Sequence, residues 1–203
     1  ELKAANKTTT LYGQLVLPTG TGRRGAPPPH SIPLVVNAYG GPEVQTVLDK
    51  WNPRALLFDE MLAQHGFAVL RVDNRGMGGR GRVFAQAAYG DFGQFQFADQ
   101  MAAAEQVLGK YPQLDPERLG WFGWGWGGTL TLYAMTHSNR VRAGVAVAPV
   151  TDWLAYDSTF TERYLGPPDA NHDAYEQTSL QSQASKLTGR LLLAHGTSDS
   201  TVH

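Results

Sequence analysis

The sequence predicts an α/β protein built on a mostly parallel, doubly wound sheet. Three observations carry that expectation: short unbroken apolar runs along the chain, amphipathic helical patterns between them, and a glycine-crowded turn, LGWFGWGWGGT (119–129), joining one such run to a helix. Apolar runs without polar alternation suit strands covered on both faces. Strands that alternate with helices are the pattern of a parallel sheet, because a parallel connection needs a crossover long enough to hold a helix.

Taken in order, LYGQLVL (11–17) alternates apolar and polar residues and reads as an edge strand; the Gly/Pro/Arg-rich stretch 18–33 after it reads as a long surface turn. Buried strands are expected at 34–39 (LVVNAY), 67–72 (FAVLRV), 119–122 (LGWF), 143–148 (AGVAVA) and 190–195 (RLLLAH). Helices are expected at 55–64, 95–108, 129–136 and 180–187, the second placing Phe97, Met101, Ala104 and Leu108 along one face. No internal repeat, heptad or low-complexity tract interrupts this order, and no shift in composition marks a second domain. The chain starts directly before a strand and ends at His203, soon after another, so the expected unit is one domain, 1–203, truncated at its C-terminal end.

Bulk composition excludes several function classes. With 203 residues, 42% of them hydrophobic, the chain can bury a core without staples. A formal charge of −1, with no Lys/Arg block interleaved with aromatics, gives no basis for nucleic-acid binding. No apolar run approaches the roughly 20 residues that cross a bilayer, and ELKAANKTTT has no signal-peptide core. Cysteine is absent, which rules out disulfides, thiolate catalysis and thiolate-bound zinc. No histidine pair has zinc-ligand spacing, so neither metal nor other cofactor is expected.

The turn at 123–127 has the outline of a nucleophile elbow, G-x-S-x-G, in which small flanking residues let strand and helix approach while the central side chain is lifted clear. Here the flanks are Gly123 and Gly127, and the centre is Gly125. Glycine relieves the backbone strain of such a turn but brings no nucleophile. The same residues allow a rival, since Gly123, Gly125 and Gly128 spell G-x-G-x-x-G with Asp152 downstream, the outline of a dinucleotide-binding loop. Trp124 and Trp126 speak against it, being bulky where a pyrophosphate must lie against backbone. A second G-x-G-x-x-G, at Gly76, Gly78 and Gly81, precedes no clear helical pattern.

Six segments together carry a resemblance: NAYGGP (37–42), VDNRGMGGRG (72–81), FGWGWGG (122–128), VAPVTDW (147–153), YDSTFTERYLG (156–166) and HGTSDSTVH (195–203). In this order and spacing the chain resembles the catalytic domain of the prolyl oligopeptidase family, specifically its dipeptidyl peptidase IV branch. The resemblance implies an α/β-hydrolase fold and serine-type hydrolysis that releases Xaa-Pro or Xaa-Ala dipeptides from peptide N-termini. It puts Gly125 at the nucleophile position, Asp199 at the triad carboxylate, and Tyr39 and the Trp126 backbone N–H at the oxyanion. It lines the pocket for proline with Trp126, Val150, Trp153, Tyr156, Phe160 and Val202.

The chain departs from the family at Gly125, at Trp126 and Phe160, where the family has tyrosine, and at Ser200 and Thr201, where it has aspartate and asparagine. The catalytic histidine is expected beyond His203, and the family's N-terminal β-propeller, with the acidic residues that hold the substrate amine, is not in these residues. A homodimer and a periplasmic or secreted location are further implications, as is a peptide as substrate or ligand. With Gly125 in place of serine, the family reaction is not expected of this chain, and a pseudo-peptidase that only binds peptide or protein is the alternative. Outside the resemblance, Tyr39 reads equally as an aromatic closing a strand, Asp199 as a turn cap, and Trp153, Tyr156 and Phe160 as the core face of a short helix.

Overall fold

The computed structural model describes residues 1–20 and 29–203; the central part of the expected surface turn, 21–28, lies outside the described residues. Strands β1 (Leu2–Lys3), β2 (Thr10–Val16), β3 (Ile32–Ala38), β4 (Ala68–Asp73), β5 (Leu114–Trp124), β6 (Val141–Val147) and β7 (Arg190–Ala194) form, among the described residues, one sheet. Its order is β1-β2-β4-β3-β5-β6-β7. The pairs from β4 to β7 are parallel, while β1 and β2 pair antiparallel.

Helices lie on both faces, as a doubly wound sheet requires. Cross-strand partners share a face, and the pair Phe122↔Val145 marks one while Trp121↔Gly144 marks the other. Helix α1 (Pro53–Gln64) packs on the first face through Phe58, whose ring centroid is 4.8 Å from that of Phe122. Helices α3 (Gln94–Lys110) and α4 (Trp126–His137) cover the second. There Phe97 meets Trp121 at 6.0 Å, and Gly144 leaves room for the Met135 and Thr131 side chains. The shorter helices α2 (Arg82–Ala85), α5 (Ser158–Leu165), α6 (His172–Thr178) and α7 (Leu180–Gln183) sit in the connections.

Four expectations change on the structure. Strand β5 begins five residues early, since Leu114 and Asp115 pair with Ile32 and Pro33 although the LDPER stretch has no apolar run. Strand β2 is not the edge, because β1 pairs with Thr10 and Leu11 outside it. The helix expected over 180–187 breaks into α7 and a 3-10 turn at Ala184–Lys186. Strand β7 is not covered on both faces, for Leu192 and Leu193 point to opposite sides and are 61% and 54% exposed. The sequence pattern also missed α5 and α6, whose few turns mix polar and aromatic residues.

Buried carboxylates tie the layers together. Asp99 of α3 is fully buried and accepts from Ala5 N (2.9 Å), Arg75 N (3.0 Å), Arg75 Nε (2.8 Å) and Arg75 Nη2 (2.8 Å). It joins α3 to the chain after β4 and to the N-terminal segment. Asp59 of α1 accepts from Asn37 Nδ2 of β3 (2.7 Å) and pairs with Arg71 of β4. Each carboxylate is stable in the interior only because donors surround it. Asp99→Ala is expected to leave Arg75 without its partner and to lower stability by about 3–5 kcal/mol, measured as a fall in the urea midpoint at unchanged slope.

Candidate functional site

The site begins where β5 hands the chain to α4. Gly125 stands between them at φ 58° and ψ −120°, a conformation that costs a residue bearing a Cβ about 1–3 kcal/mol. Its N–H donates to Val147 O of β6 at 2.8 Å, and its carbonyl accepts from Thr129 N of α4 at 3.0 Å. The flanking glycines answer a different constraint. A Cβ on Gly127 would run into the Ala38 carbonyl of β3, and one on Gly123 into the Gly127 backbone. At Gly125 an added Cβ meets nothing within 4 Å. The apex therefore aims its substituent into open space, and here that substituent is hydrogen.

The elbow borders a cavity of about 500 Å³. All nine residues assigned above line it: Tyr39 from the end of β3, Gly125 and Trp126 from the elbow, Val150, Trp153, Tyr156 and Phe160 from the segment after β6, and Asp199 and Val202 from the segment after β7. Trp126 is the first residue of α4, so its N–H has no partner inside the helix. The Trp126 ring is buried and packs on Trp153, with centroids 5.7 Å apart. Trp153, Tyr156 and Phe160 do not share one helix. Trp153 lies in a 3-10 turn (Trp153–Ala155), Tyr156 is extended, and Phe160 belongs to α5. Asp152 and Asp157 split the segment by accepting from Leu154 N (2.9 Å) and Phe160 N (3.2 Å), each starting a new turn. The rings still converge edge to face, Trp153 on Tyr156 at 5.7 Å and Tyr156 on Phe160 at 5.8 Å.

Three participants were not foreseen. Phe92, 1% exposed, sits behind the wall with its centroid 5.3 Å from Trp126, 4.6 Å from Trp153 and 6.0 Å from Phe160. Its place between Gly90 and Gly93 marks only a turn. Trp124, 68% exposed, stands at the cavity mouth; strand alternation puts it outside the core, and it was weighed only as an obstacle to phosphate. Ala148 adopts φ 45° at the cavity wall, strain that no sequence signal marks.

Electrostatics divide the cavity into donors and one anion. Burial raises the Tyr39 pKa, with Tyr156 adding to the shift, and burial likewise raises that of Tyr156, helped by Asp157 and Asp199. Both phenols thus keep their protons through neutral pH. Asp199 is held below the usual carboxylate range by the N–H groups of Val202 and Thr201, both 3.0 Å from Oδ1. The same carboxylate therefore caps its own turn. Among the described residues no histidine lines the cavity, and His195 Nδ1 lies 3.1 Å from Gly196 O. No group of three His, Asp or Glu side chains among the described residues is placed to hold a metal. The second glycine motif does precede a helix, the one-turn α2, which is too short to form an anion site. A larger groove, of about 720 Å³, lies between α1 and the β5–β6 face, away from the elbow. Of its polar lining, Glu117 and Arg142 are joined to each other at 2.8 Å.

The elbow can be tested by stability alone. Gly125→Ala is expected to cost about 1–3 kcal/mol, the strain of a Cβ at this backbone with open space around it. Gly127→Ala forces backbone apart and is expected to cost at least about 3 kcal/mol; thermal unfolding of both variants gives the order.

Residues 58–203 match the profile of the prolyl oligopeptidase family. Dipeptidyl peptidase 8 of Homo sapiens is 38% identical over 198 residues, covering 96% of this chain and 22% of that protein. Dipeptidyl aminopeptidase B of Saccharomyces cerevisiae is 38% identical over 175 residues, covering 84% of this chain and 21% of that protein. The crystal structure of Porphyromonas gingivalis dipeptidyl peptidase 4 superposes with a TM-score of 0.87 at 36% identity, over 100% of this chain and 28% of that one. The chain spans about a fifth of the length of the curated relatives it matches. Its sheet is that of the α/β-hydrolases, and by the extent of these matches the chain belongs to the prolyl oligopeptidase family.

Proposed function

We propose that the cavity is the peptide-binding pocket of a dipeptidyl peptidase IV-like catalytic domain that holds the segment around a proline or alanine and, as it stands, does not cleave it. The observation that carries this is Gly125: the elbow keeps its positive-φ backbone, its flanking glycines and its open space, yet presents no nucleophile. In the family reaction a serine there attacks the carbonyl after proline, a histidine carries the proton, and an aspartate orients the histidine. Loss of the nucleophile alone lowers turnover by about six orders of magnitude.

Binding survives that loss because other groups supply it. Aromatic walls from Trp126, Trp153, Tyr156 and Phe160 suit a flat apolar ring, which has no N–H to leave unsatisfied. Tyr39 Oη and the Trp126 N–H are the donors for the peptide carbonyl, each a bond whose net worth is about 0.5–1.5 kcal/mol. Asp199 takes the triad carboxylate position. A role confined to binding, as in a pseudo-peptidase, is the form of this proposal that Gly125 favours.

Intrinsic fluorescence tests it, since Trp124, Trp126 and Trp153 all line the cavity. Titration with Ala-Pro-Ala is expected to change the emission saturably, with no Ala-Pro released; a flat titration would sink the pocket assignment. In a chain that carries the family's downstream histidine, Gly125→Ser is expected to release the dipeptide, whereas no release there favours a role confined to binding. The pH dependence has a definite sign. Tyr39 donates only while protonated and its pKa is raised, so affinity for N-acetylated Ala-Pro-Ala, which has no amine to titrate, is expected to hold flat across neutral pH and to fall only above the ordinary tyrosine value of about 10.

A further inference from the structure

The VDNRGMGGRG segment, so prominent in the sequence, contributes no residue to the cavity lining. It contacts instead the loop that follows Tyr39, and it does so at three points. Asn74 Nδ2 donates to Gly40 O at 3.2 Å. Gly78 N donates to Val44 O at 3.1 Å, an approach so close that a Cβ on Gly78 would strike the Glu43 carbonyl. Asp73, 2% exposed, accepts from Thr46 N (2.9 Å) and Thr46 Oγ1 (2.7 Å) on Oδ1, and from Val47 N on Oδ2 (3.1 Å). Asn74 is itself oriented, because Gln100 Nε2 of α3 donates to its Oδ1 at 2.9 Å.

The start of this loop is packed, Gly40 against Leu130 and Gly41 against Trp126 of α4, but its tip has less to fix it. Glu43 and Val44 are exposed, and Glu43 sits at φ 64°, a strained conformation for a residue with a side chain. Held there, Glu43 reaches Arg163 of α5 at 2.8 Å, which joins the loop to the helix that carries Phe160. Tyr39 lies between β3 and this clamped loop and lines the cavity.

We propose that Asp73 is a positioning residue: with Asn74 and Gly78 it clamps the loop after Tyr39 and so fixes where the Tyr39 hydroxyl meets a bound peptide carbonyl. The proposal rests on the binding function proposed above. It differs from a purely structural role in one respect: it requires that loosening the clamp change the hydrogen bond made by Tyr39, although Asp73 bonds to Thr46 and Val47 and not to Tyr39.

The test is the infrared band of a ¹³C-labelled proline carbonyl in Ala-Pro-Ala bound to the protein, together with its affinity. Tyr39→Phe is expected to raise the carbonyl frequency and weaken binding about fivefold, the worth of one hydrogen bond. Asp73→Asn is expected to move the band most of the way to the Tyr39→Phe position, and the double variant to move it no further. Thr46→Val keeps the carboxylate and removes one hydroxyl donor at a half-buried site, so it reports on the clamp even where Asp73→Asn lowers stability. It is expected to shift the band in the same direction by less. A band left in place by both Thr46→Val and folded Asp73→Asn, while Tyr39→Phe shifts it, overturns the clamp and leaves the pocket assignment standing. A band that Tyr39→Phe itself leaves in place overturns the pocket assignment and the clamp together.

Discussion

Everything at this site depends on three backbones meeting with no side chain between them. Strand β5 ends against the first turn of α4, and that turn rests on the end of β3, where Gly127 lies against the Ala38 carbonyl. Two glycines make the approach possible, and the sharp turn they allow lifts position 125 out of the sheet. Because Tyr39 immediately follows Ala38, the same contact brings the phenol to the elbow.

The rest of the structure holds that junction in register. Interior carboxylates act as struts: Asp99 ties α3 to the chain after β4, Asp59 ties α1 to β3 and β4, and Asp73 ties the loop after Tyr39 to the end of β4. Behind the cavity, Phe92 fills the space among Trp126, Trp153, Phe160 and Tyr164. Polar struts fix direction, since each donor has one geometry, whereas aromatic packing fixes volume.

Glycine at the elbow separates two properties that usually travel together. A residue with a side chain is strained at the apex; with glycine the strain largely disappears, and no side chain is presented there. The pocket does not depend on that side chain. Its walls are set by Tyr39, the elbow, the segment after β6 and the segment after β7, and beyond its chain neighbours an added Cβ at Gly125 would meet none of them within 4 Å. A side chain at this one position would therefore leave the other residues that line the cavity in place.

The sequence by itself determined the sheet and the elbow. Buried parallel strands must be apolar throughout, so β3, β4 and β6 could be read from short runs, and a backbone contact without room for a side chain must be glycine, so 123–128 stood out. The nine candidate residues were legible only through the order of six motifs, because nothing in the spacing of Tyr39, Trp126 and Asp199 says that they share a cavity. Other features were decided by tertiary structure alone. Strand β5 begins at Leu114 because Ile32 and Pro33 offer partners to Leu114 and Asp115, with the register shifting across 116–118, a matter of pairing and not of hydrophobicity. Phe92 becomes the centre of the aromatic wall because the chain from β4 to α3 folds under the elbow, and Asp73 finds Thr46 only when β3 and β4 lie side by side. Such contacts join residues far apart in sequence, and a pattern of local periodicity contains no term for them.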